Sequence, residues 1–222
     1  MFMRSRERRP KDPEQLKAVL GCRFFYSCTY SVCAPLFYGL WQLRVRGRRY
    51  IPRQGGLIVA ANHQSFLDPV ILGVAARRPL AFMARRSLFK GFFGELIGAL
   101  NAIPIPRESF TPGALRQALS ALRSGWALVV FPEGTRTADG SLSALRRGVA
   151  LLAALSAVPV VPAGIQGAFG VWPRFRKLPF IWGKISVAFG PIMVYDKRFD
   201  SYDGFTERLA EALFALTGSG RR

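Results

Sequence analysis

Histidine and cysteine, the side chains that most often hold metals or form covalent links, are scarce in this chain of 222 residues. The single histidine, His63, excludes any metal site that needs several histidines. The three cysteines, Cys22, Cys28 and Cys33, are odd in number, are not spaced as CxxC, and share one apolar stretch. We therefore expect them to be small buried side chains and not part of a disulfide framework or a metal site.

Acidic side chains are also few, since 13 Asp and Glu stand against 32 Lys and Arg, for a formal net charge of +19. Such a chain needs an anionic partner, and nucleic acid, an anionic membrane surface, and phosphorylated or coenzyme-linked substrates all qualify. The sequence has no zinc-ligand spacing, no RNP-like aromatic motif and no clear basic recognition helix. These absences argue against nucleic acid.

One segment contains no charge at all. Residues 24–43 run 20 positions without a charged side chain, which just suffices to span a bilayer, and basic residues lie on both sides. Two basic flanks argue against a single span, and Pro35 and Gly39 interrupt the run. We favour two short helices that dip into one leaflet and return, with a single span and a soluble core helix as alternatives. No convincing signal-peptide cleavage site is present.

Apolar runs alternate with helical patterns in the rest of the chain. The predicted strands are 57–61, 80–84, 102–105, 127–131, 158–165 and 185–189, and the predicted helices are 87–100, 112–123, 145–156 and 205–216. Buried strands separated by helices argue for an α/β fold with a mostly parallel central sheet flanked by helices. We therefore divide the chain into residues 1–45, a basic N-terminus with an apolar helical membrane-anchoring segment, and residues 46–222, the α/β domain.

The lone histidine follows the first predicted strand, in the run Asn62-His63-Gln64-Ser65-Phe66-Leu67-Asp68. A hydroxyl nucleophile is weak near neutral pH, and an imidazole within reach can act as its base. A carboxylate on the other ring nitrogen would fix the tautomer, and Asp68 is the obvious partner, although the two can meet only across a turn. Asp68 is also suited to a second role, as the cap of a helix that begins at Pro69.

A second motif, Phe131-Pro132-Glu133-Gly134-Thr135-Arg136, follows the clearest buried strand. Ligands of parallel α/β sheets bind at the carboxyl ends of strands, so the two motifs would meet if their strands lie close. Arg136 offers a planar fork for phosphate, Glu133 could orient it or contact the ligand, and Arg107 is a second candidate phosphate ligand. Taken alone, Pro-Glu-Gly-Thr is also ordinary turn sequence, and Arg136 an ordinary surface arginine.

Together these residues resemble the glycerolipid acyltransferase family, specifically the 1-acylglycerol-3-phosphate acyltransferases, over roughly residues 45–195. His63 and Asp68 fit the family's first motif, Arg107 closes the second, residues 131–136 fit the third, and residues 158–162 fit the apolar-proline fourth. Four motifs in this order, with 70 positions from His63 to Glu133, are highly specific. One position departs from the pattern, because Asn101 stands where the family usually has glycine.

The resemblance implies that residues 46–222 are a glycerolipid acyltransferase domain. It would transfer a fatty acyl chain from acyl-CoA or acyl carrier protein to the sn-2 hydroxyl of 1-acyl-sn-glycerol-3-phosphate, giving phosphatidic acid. It implies a base, His63, paired with Asp68, and direct attack without an acyl-enzyme, a metal or a bound cofactor. Substrate binding is expected of Arg107, Glu133, Gly134, Thr135 and Arg136.

The implied partners are membrane lipids, the lysophospholipid acceptor and the acyl donor, with no nucleic acid. The implied location is the membrane, monotopic or single-span, with the catalytic domain on the cytoplasmic face. Within the enzyme interpretation, another lysolipid or glycerol-3-phosphate could be the acceptor. Two alternatives of a different class are a basic nucleic-acid-binding protein and a non-catalytic membrane protein.

Overall fold

The computed structural model describes residues 26–28, 30–85, 102–105 and 111–218. Four features of the sequence analysis lie outside the described residues: the helix predicted over residues 87–100, the candidate phosphate ligand Arg107, Asn101 and Cys22.

Within the described residues, seven strands form one sheet, and most of them are short apolar runs. The strands are β1 (Arg44–Arg46), β2 (Leu57–Ala61), β3 (Leu80–Arg85), β4 (Ala102–Ile105), β5 (Ala127–Val130), β6 (Val160–Gln166) and β7 (Ser186–Phe189). The six predicted strands are confirmed as β2 to β7, with small differences at their ends. β1 gives no such signal in the sequence, because two of its three residues are arginines.

The strand order is β1-β7-β6-β2-β5-β3-β4. β2 pairs in parallel with β5 and β6, β3 with β4 and β5, and β1 with β7. β6 and β7 are antiparallel, with Gln166 opposite Ser186, so β1 and β7 run against the other strands. The prediction of a mostly parallel sheet was therefore wrong, and the sheet is mixed. β7 starts at the end of the sheet where β6 finishes. The connection between them therefore does not cross over a face of the sheet, as a connection between parallel strands must.

In the described residues that follow β2, the α-helices are α1 (Asp68–Ala76), α2 (Pro112–Arg123), α3 (Gly148–Ser156), α4 (Ala168–Val171) and α5 (Tyr202–Thr217). Local hydrogen bonds define two of their starts, because the Thr111 hydroxyl accepts the Ala114 N–H and the Ser201 hydroxyl accepts the Gly204 N–H.

Both faces of the sheet are covered, as expected for strands that are apolar along their whole length. On one face, side chains such as Val59 and Val129 pack with α1 and with the end of the N-terminal apolar segment. On the other face, Ile58 and Leu128 pack with α2, α3 and α5. The carboxyl ends of the central strands are thereby held at one edge between two packed layers.

The N-terminal apolar segment is helical over residues 30–39, and this helix continues through Pro35. Phe37 and Trp41 are buried in the first core, whereas Val32 and Leu36 are 65% and 45% exposed. Across residues 26–28, 30–85, 102–105 and 111–218, no helix combines the length and the apolar character needed to cross a bilayer. Contact of this segment with a membrane stays a prediction.

Candidate active site

Two neighbouring parallel strands bring the two sequence motifs together. Ala60 of β2 lies opposite Val130 of β5, so the two strands end at the same edge of the sheet. His63 follows β2 at this edge, and residues 131–136 follow β5. The Thr137 N–H donates to the His63 carbonyl oxygen at 2.8 Å and ties the two loops to each other. The meeting of the motifs, expected if their strands lie close, is confirmed.

His63 and Asp68 form a hydrogen-bonded pair, with 2.8 Å between His63 Nδ1 and Asp68 Oδ2. They meet across a turn, because the same oxygen accepts the backbone N–H of Gln64 at 2.6 Å and of Ser65 at 2.8 Å. Asp68 is the first residue of α1, and the cap position is Leu67, which has no side-chain capping bond. The alternative role of Asp68 as helix cap is therefore wrong, and its carboxylate shapes the histidine turn instead.

The two members of the pair differ sharply in exposure. The Asp68 side chain is fully buried, whereas the His63 side chain keeps 19% of its surface exposed. Burial raises the pKa of the Asp68 carboxyl, and the bonds from His63 and from the two backbone donors oppose this rise. Because Nδ1 is committed to Asp68, Nε2 is the ring nitrogen left for proton transfer.

Phe131 sets the plane of the imidazole. Its ring stacks on the His63 ring, with the centroids 3.9 Å apart and the planes 13° from parallel. This contact was not predicted from the sequence, although the position of Phe131 directly after β5 indicates it once β2 and β5 are known to be neighbours. The imidazole is therefore held by Asp68 at one nitrogen and by Phe131 on one face.

Glu133 bridges the loops around the histidine. Its Oε1 accepts the His63 backbone N–H at 2.7 Å, and its Oε2 accepts the Ser143 backbone N–H at 2.8 Å. Burial raises the pKa of the Glu133 carboxyl, and these two bonds oppose the rise. Both oxygens thus hold backbone in place, which gives Glu133 a bridging role. The substrate contact expected of it stays a prediction.

Arg136 lies over the turn that joins His63 to Asp68. Its guanidinium carbon is 3.4 Å from the centre of the Phe66 ring, and Phe66 in turn contacts Trp172, with centroids 5.4 Å apart. Stacking on an aromatic face orients the planar guanidinium. A phosphate bound by this fork would lie beside the histidine turn.

The middle of the second motif is a tight turn at Gly134, and the side chain of Arg146 lies against it. Gly134 has a φ of +75°, and a Cβ atom there would lie 3.0 Å from Arg146 Nε. The Gly134 N–H donates to the Phe131 carbonyl oxygen at 3.0 Å and closes the turn, and the Thr135 hydroxyl donates to the Arg136 carbonyl oxygen at 3.1 Å. Arg146 is exposed, and no sequence motif marks it. Its side chain nevertheless packs against the motif at the site edge.

Asn62 anchors the histidine loop to β6. Its Nδ2 donates to the Ile165 carbonyl oxygen at 2.9 Å, and its Oδ1 accepts the Ile165 N–H at 2.7 Å. This buried amide extends the pairing of β2 with β6 beyond the end of β2. This role of Asn62 was not predicted, although a polar residue between a buried strand and the histidine is a signal for such an anchor.

The described part of the chain thus collects a histidine with a buried carboxylate partner and an oriented arginine at one sheet edge. Within that part, no three His, Cys, Asp or Glu side chains are grouped so that they could hold a metal ion. The arrangement is suited to removing a proton from a hydroxyl next to a bound anion.

Comparison with known proteins agrees with this chemistry. The acyltransferase family model matches residues 42–166, more than half of the chain. A 1-acyl-sn-glycerol-3-phosphate acyltransferase of Bacillus subtilis is 28% identical over 167 residues, which cover 72% of this chain and 80% of that protein. Another of Pseudomonas aeruginosa is 32% identical over 177 residues, which cover 78% of this chain and 65% of that protein.

A solved structure is also similar over most of its length. The crystal structure of the 1-acyl-sn-glycerophosphate (LPA) acyltransferase PlsC from Thermotoga maritima matches with a TM-score of 0.73 and 27% identity. The match covers 92% of this chain and 82% of that one. The chain spans about half the length of several other curated relatives.

Proposed function

This chain belongs to the acyltransferase family, and we propose that it acylates the sn-2 hydroxyl of 1-acyl-sn-glycerol-3-phosphate, giving phosphatidic acid. The acyl donor is acyl-CoA or acyl carrier protein. The observation that carries the proposal is the His63–Asp68 pair at the sheet edge, with Arg136 stacked over the turn between them. The similarity to the 1-acyl-sn-glycerol-3-phosphate acyltransferase from Bacillus subtilis and to the 1-acyl-sn-glycerophosphate (LPA) acyltransferase from Thermotoga maritima supports the choice of acceptor.

Proton transfer begins the reaction. The Asp68 carboxylate accepts the Nδ1–H of His63, so Nε2 carries the lone pair that takes the proton of the acceptor hydroxyl. The hydroxyl oxygen then attacks the thioester carbonyl carbon. The buried charge of Asp68 stabilises the imidazolium that forms.

Collapse of the tetrahedral intermediate completes the transfer. The carbon–sulfur bond breaks, and the imidazolium returns its proton to the leaving thiolate, which balances the step. Direct attack is favoured over an acyl-enzyme by the state of Ser65, the hydroxyl nearest to His63 in sequence. Ser65 is fully buried, and its Oγ donates to the Trp172 carbonyl oxygen at 2.8 Å.

The acceptor phosphate is held by arginines in this proposal. The fork of Arg136 supplies paired N–H donors, and Gly134 and Thr135 shape the loop that carries it. Arg107, which follows β4 by two positions in the sequence, is the second proposed phosphate ligand. The strong positive charge of the chain favours an anionic lipid and an anionic coenzyme donor.

The proposed location is a membrane surface, monotopic or single-span, with the catalytic domain on the cytoplasmic face. The uncharged run of residues 24–43 and the basic flanks support it. A substrate and a product that both reside in the bilayer would then remain close to the site.

A panel assay tests the function. The purified, detergent-solubilised protein is incubated with an acyl-CoA and several lysolipids, and free thiol and lipid product are followed. His63→Ala is compared with wild type and with Glu207→Gln, which changes an exposed residue of α5. We expect product from lysophosphatidic acid with wild type and Glu207→Gln, and none with His63→Ala.

Each other outcome has a definite meaning. Product from a different lysolipid, lost in His63→Ala, would keep the mechanism and change the acceptor. Full activity of His63→Ala would overturn the role of the histidine. If acyl-CoA does not react, acyl carrier protein replaces it as donor, and failure of both donors with every acceptor would overturn the proposed reaction.

A further inference from the structure

The connection between β6 and β7 carries large apolar side chains on its surface. Phe175 and Leu178 are each 72% exposed, Trp182 is 71%, Ile181 is 64% and Phe180 is 48% exposed. These five residues are named here the β6–β7 patch. Single exposed apolar residues are normal on soluble proteins, but five within eight positions form a surface that water solvates poorly.

Hydrogen bonds hold this connection in place, so the exposure of the patch is built into the fold. The Phe180 N–H donates to the Val171 carbonyl oxygen at 2.9 Å, and the Trp172 indole N–H donates to the Arg176 carbonyl oxygen at 3.0 Å. The Trp41 indole N–H donates to the Phe180 carbonyl oxygen at 2.8 Å. The patch is thereby fastened to the end of the N-terminal apolar segment.

The charged residues of the connection between β6 and β7 are all basic. Arg174, Arg176, Lys177 and Lys184 are exposed within the same connection. The sequence contains no acidic residue between Asp139 and Asp196. Apolar and aromatic side chains interspersed with Lys and Arg are the composition of surfaces that lie in the interface of anionic bilayers.

The connection that carries the patch begins next to the active site, at Trp172. The Trp172 carbonyl oxygen accepts a hydrogen bond from the Ser65 hydroxyl at 2.8 Å. The Trp172 ring contacts the ring of Phe66, which lies in the turn between His63 and Asp68. The chain runs from Trp172 directly into the patch. β6 is parallel to β2, so this connection leaves the sheet at the same edge as His63.

We propose that the β6–β7 patch inserts into the interface of a bilayer that contains anionic phospholipid, and that it seats the active-site edge on that surface. This is a second membrane contact, separate from the N-terminal segment. Insertion itself does not require a particular acceptor, whereas its consequence for catalysis rests on the proposed function.

Tryptophan fluorescence with brominated lipids tests insertion on the full chain. Trp182 lies in the patch, whereas Trp126 directly precedes β5 at the opposite edge of the sheet. On vesicles with anionic lipid, Trp182→Phe should lower the amplitude quenched by bromolipid. Trp126→Phe removes an emitter remote from the bilayer, so it should leave that amplitude unchanged. An unchanged amplitude in Trp182→Phe would overturn the proposal.

Two further arms identify the partner. The Trp182 contribution should fall on zwitterionic vesicles and in Arg174→Gln/Lys177→Gln, and equal quenching on both lipids would refute the anionic surface. If a second copy of the chain covered the patch, Trp182 would escape bromolipid, and Ile181→Ser would convert a dimer to a monomer in analytical ultracentrifugation. That result would also overturn the proposal.

Activity gives an independent readout. Leu178→Ser/Ile181→Ser should lower the rate on vesicle-embedded acceptor by about tenfold and leave the rate on a short-chain monomeric acceptor unchanged. Phe199→Ser is the matched control, because Phe199 is also an exposed apolar residue, at 82%, but lies away from the patch. After β7 the chain returns to the start of β6, where Met193 pairs with Val160, and Phe199 follows this point in the sequence. Equal rates of the double variant and wild type on vesicles would overturn the catalytic consequence. Failure of the proposed reaction would leave the fluorescence result intact.

Discussion

Replacing Asp68 with asparagine separates the charge of the carboxylate from its hydrogen bonds. Asp68 Oδ2 accepts from His63 Nδ1 and from the backbone N–H groups of Gln64 and Ser65. In Asp68→Asn, the side-chain amide can place either its oxygen or its NH₂ group where Asp68 Oδ2 lies. The backbone N–H groups of Gln64 and Ser65 point at that position, so they favour the oxygen. The oxygen can still accept from Nδ1, so the tautomer of His63 is retained while the negative charge is lost.

The expected loss of rate follows from that charge. Two unit charges about 4 Å apart attract by about 4 kcal/mol at an effective dielectric constant of about 20. Loss of this stabilisation of the imidazolium lowers kcat about 10³-fold. In a Ser-His-Asp triad the same substitution costs about 10⁴-fold through the wrong tautomer, and the fixed backbone donors here should avoid that additional loss.

The same substitution lowers the rate, but it should raise the stability relative to wild type as pH increases. Burial raises the folded-state pKa of Asp68 above its unfolded value, so the folded state binds more protons between the two values. The contribution of Asp68 to the free energy of unfolding is therefore lost as pH rises from about 4 through the folded pKa. Asp68→Asn lacks this loss, although its amide N–H₂ group costs about 1–3 kcal/mol where no partner meets it. Its stability relative to wild type should increase with pH across this window.

The assay combines single-turnover rates of thiol release with thermal unfolding at several pH values. Glu207→Gln makes the same carboxylate-to-amide change on the exposed side of α5 and should alter neither quantity. A loss of less than about tenfold in kcat would refute the electrostatic role of Asp68. A stability difference that does not change with pH would refute the argument from its burial.

Glu133→Gln places an amide N–H against the backbone N–H of His63 or Ser143, so chemical denaturation should show about 1–3 kcal/mol less stability, and kcat should fall. Unchanged stability would contradict the bridging role. Gly134→Ala puts a Cβ at a φ of +75° and should cost about 1–2 kcal/mol in thermal unfolding. Gly73→Ala, its control in α1 with open space around the new methyl, should gain up to about 1 kcal/mol, and equal shifts would contradict this reasoning. Arg136→Lys keeps the charge but loses the fork, and should raise KM for the phosphate-bearing acceptor about tenfold and KM for the donor less. An equal rise for both substrates would argue against a phosphate contact.

Much of the fold was predictable because its signals are local. Apolar runs such as residues 57–61 and 127–130 are buried strands, and Thr111 before Pro112 marks the start of α2. β1 was missed because its alternating arginines resemble a surface segment, and it becomes a strand only by pairing with β7. The antiparallel return of β7 was also missed, since apolar strands carry no signal for the direction of their neighbours.

The sequence by itself determined which residues carry the chemistry, because the identity and spacing of His63, Asp68 and residues 131–136 are properties of short segments. Only the tertiary structure decided how they meet. The pairing of β2 with β5 places the Phe131 ring on the His63 ring. The buried carboxylate of Glu133 accepts backbone N–H groups from two separate loops, at His63 and at Ser143. Such contacts depend on segments distant along the chain. A local pattern specifies a side chain and its secondary structure, but not which remote neighbour will cover it.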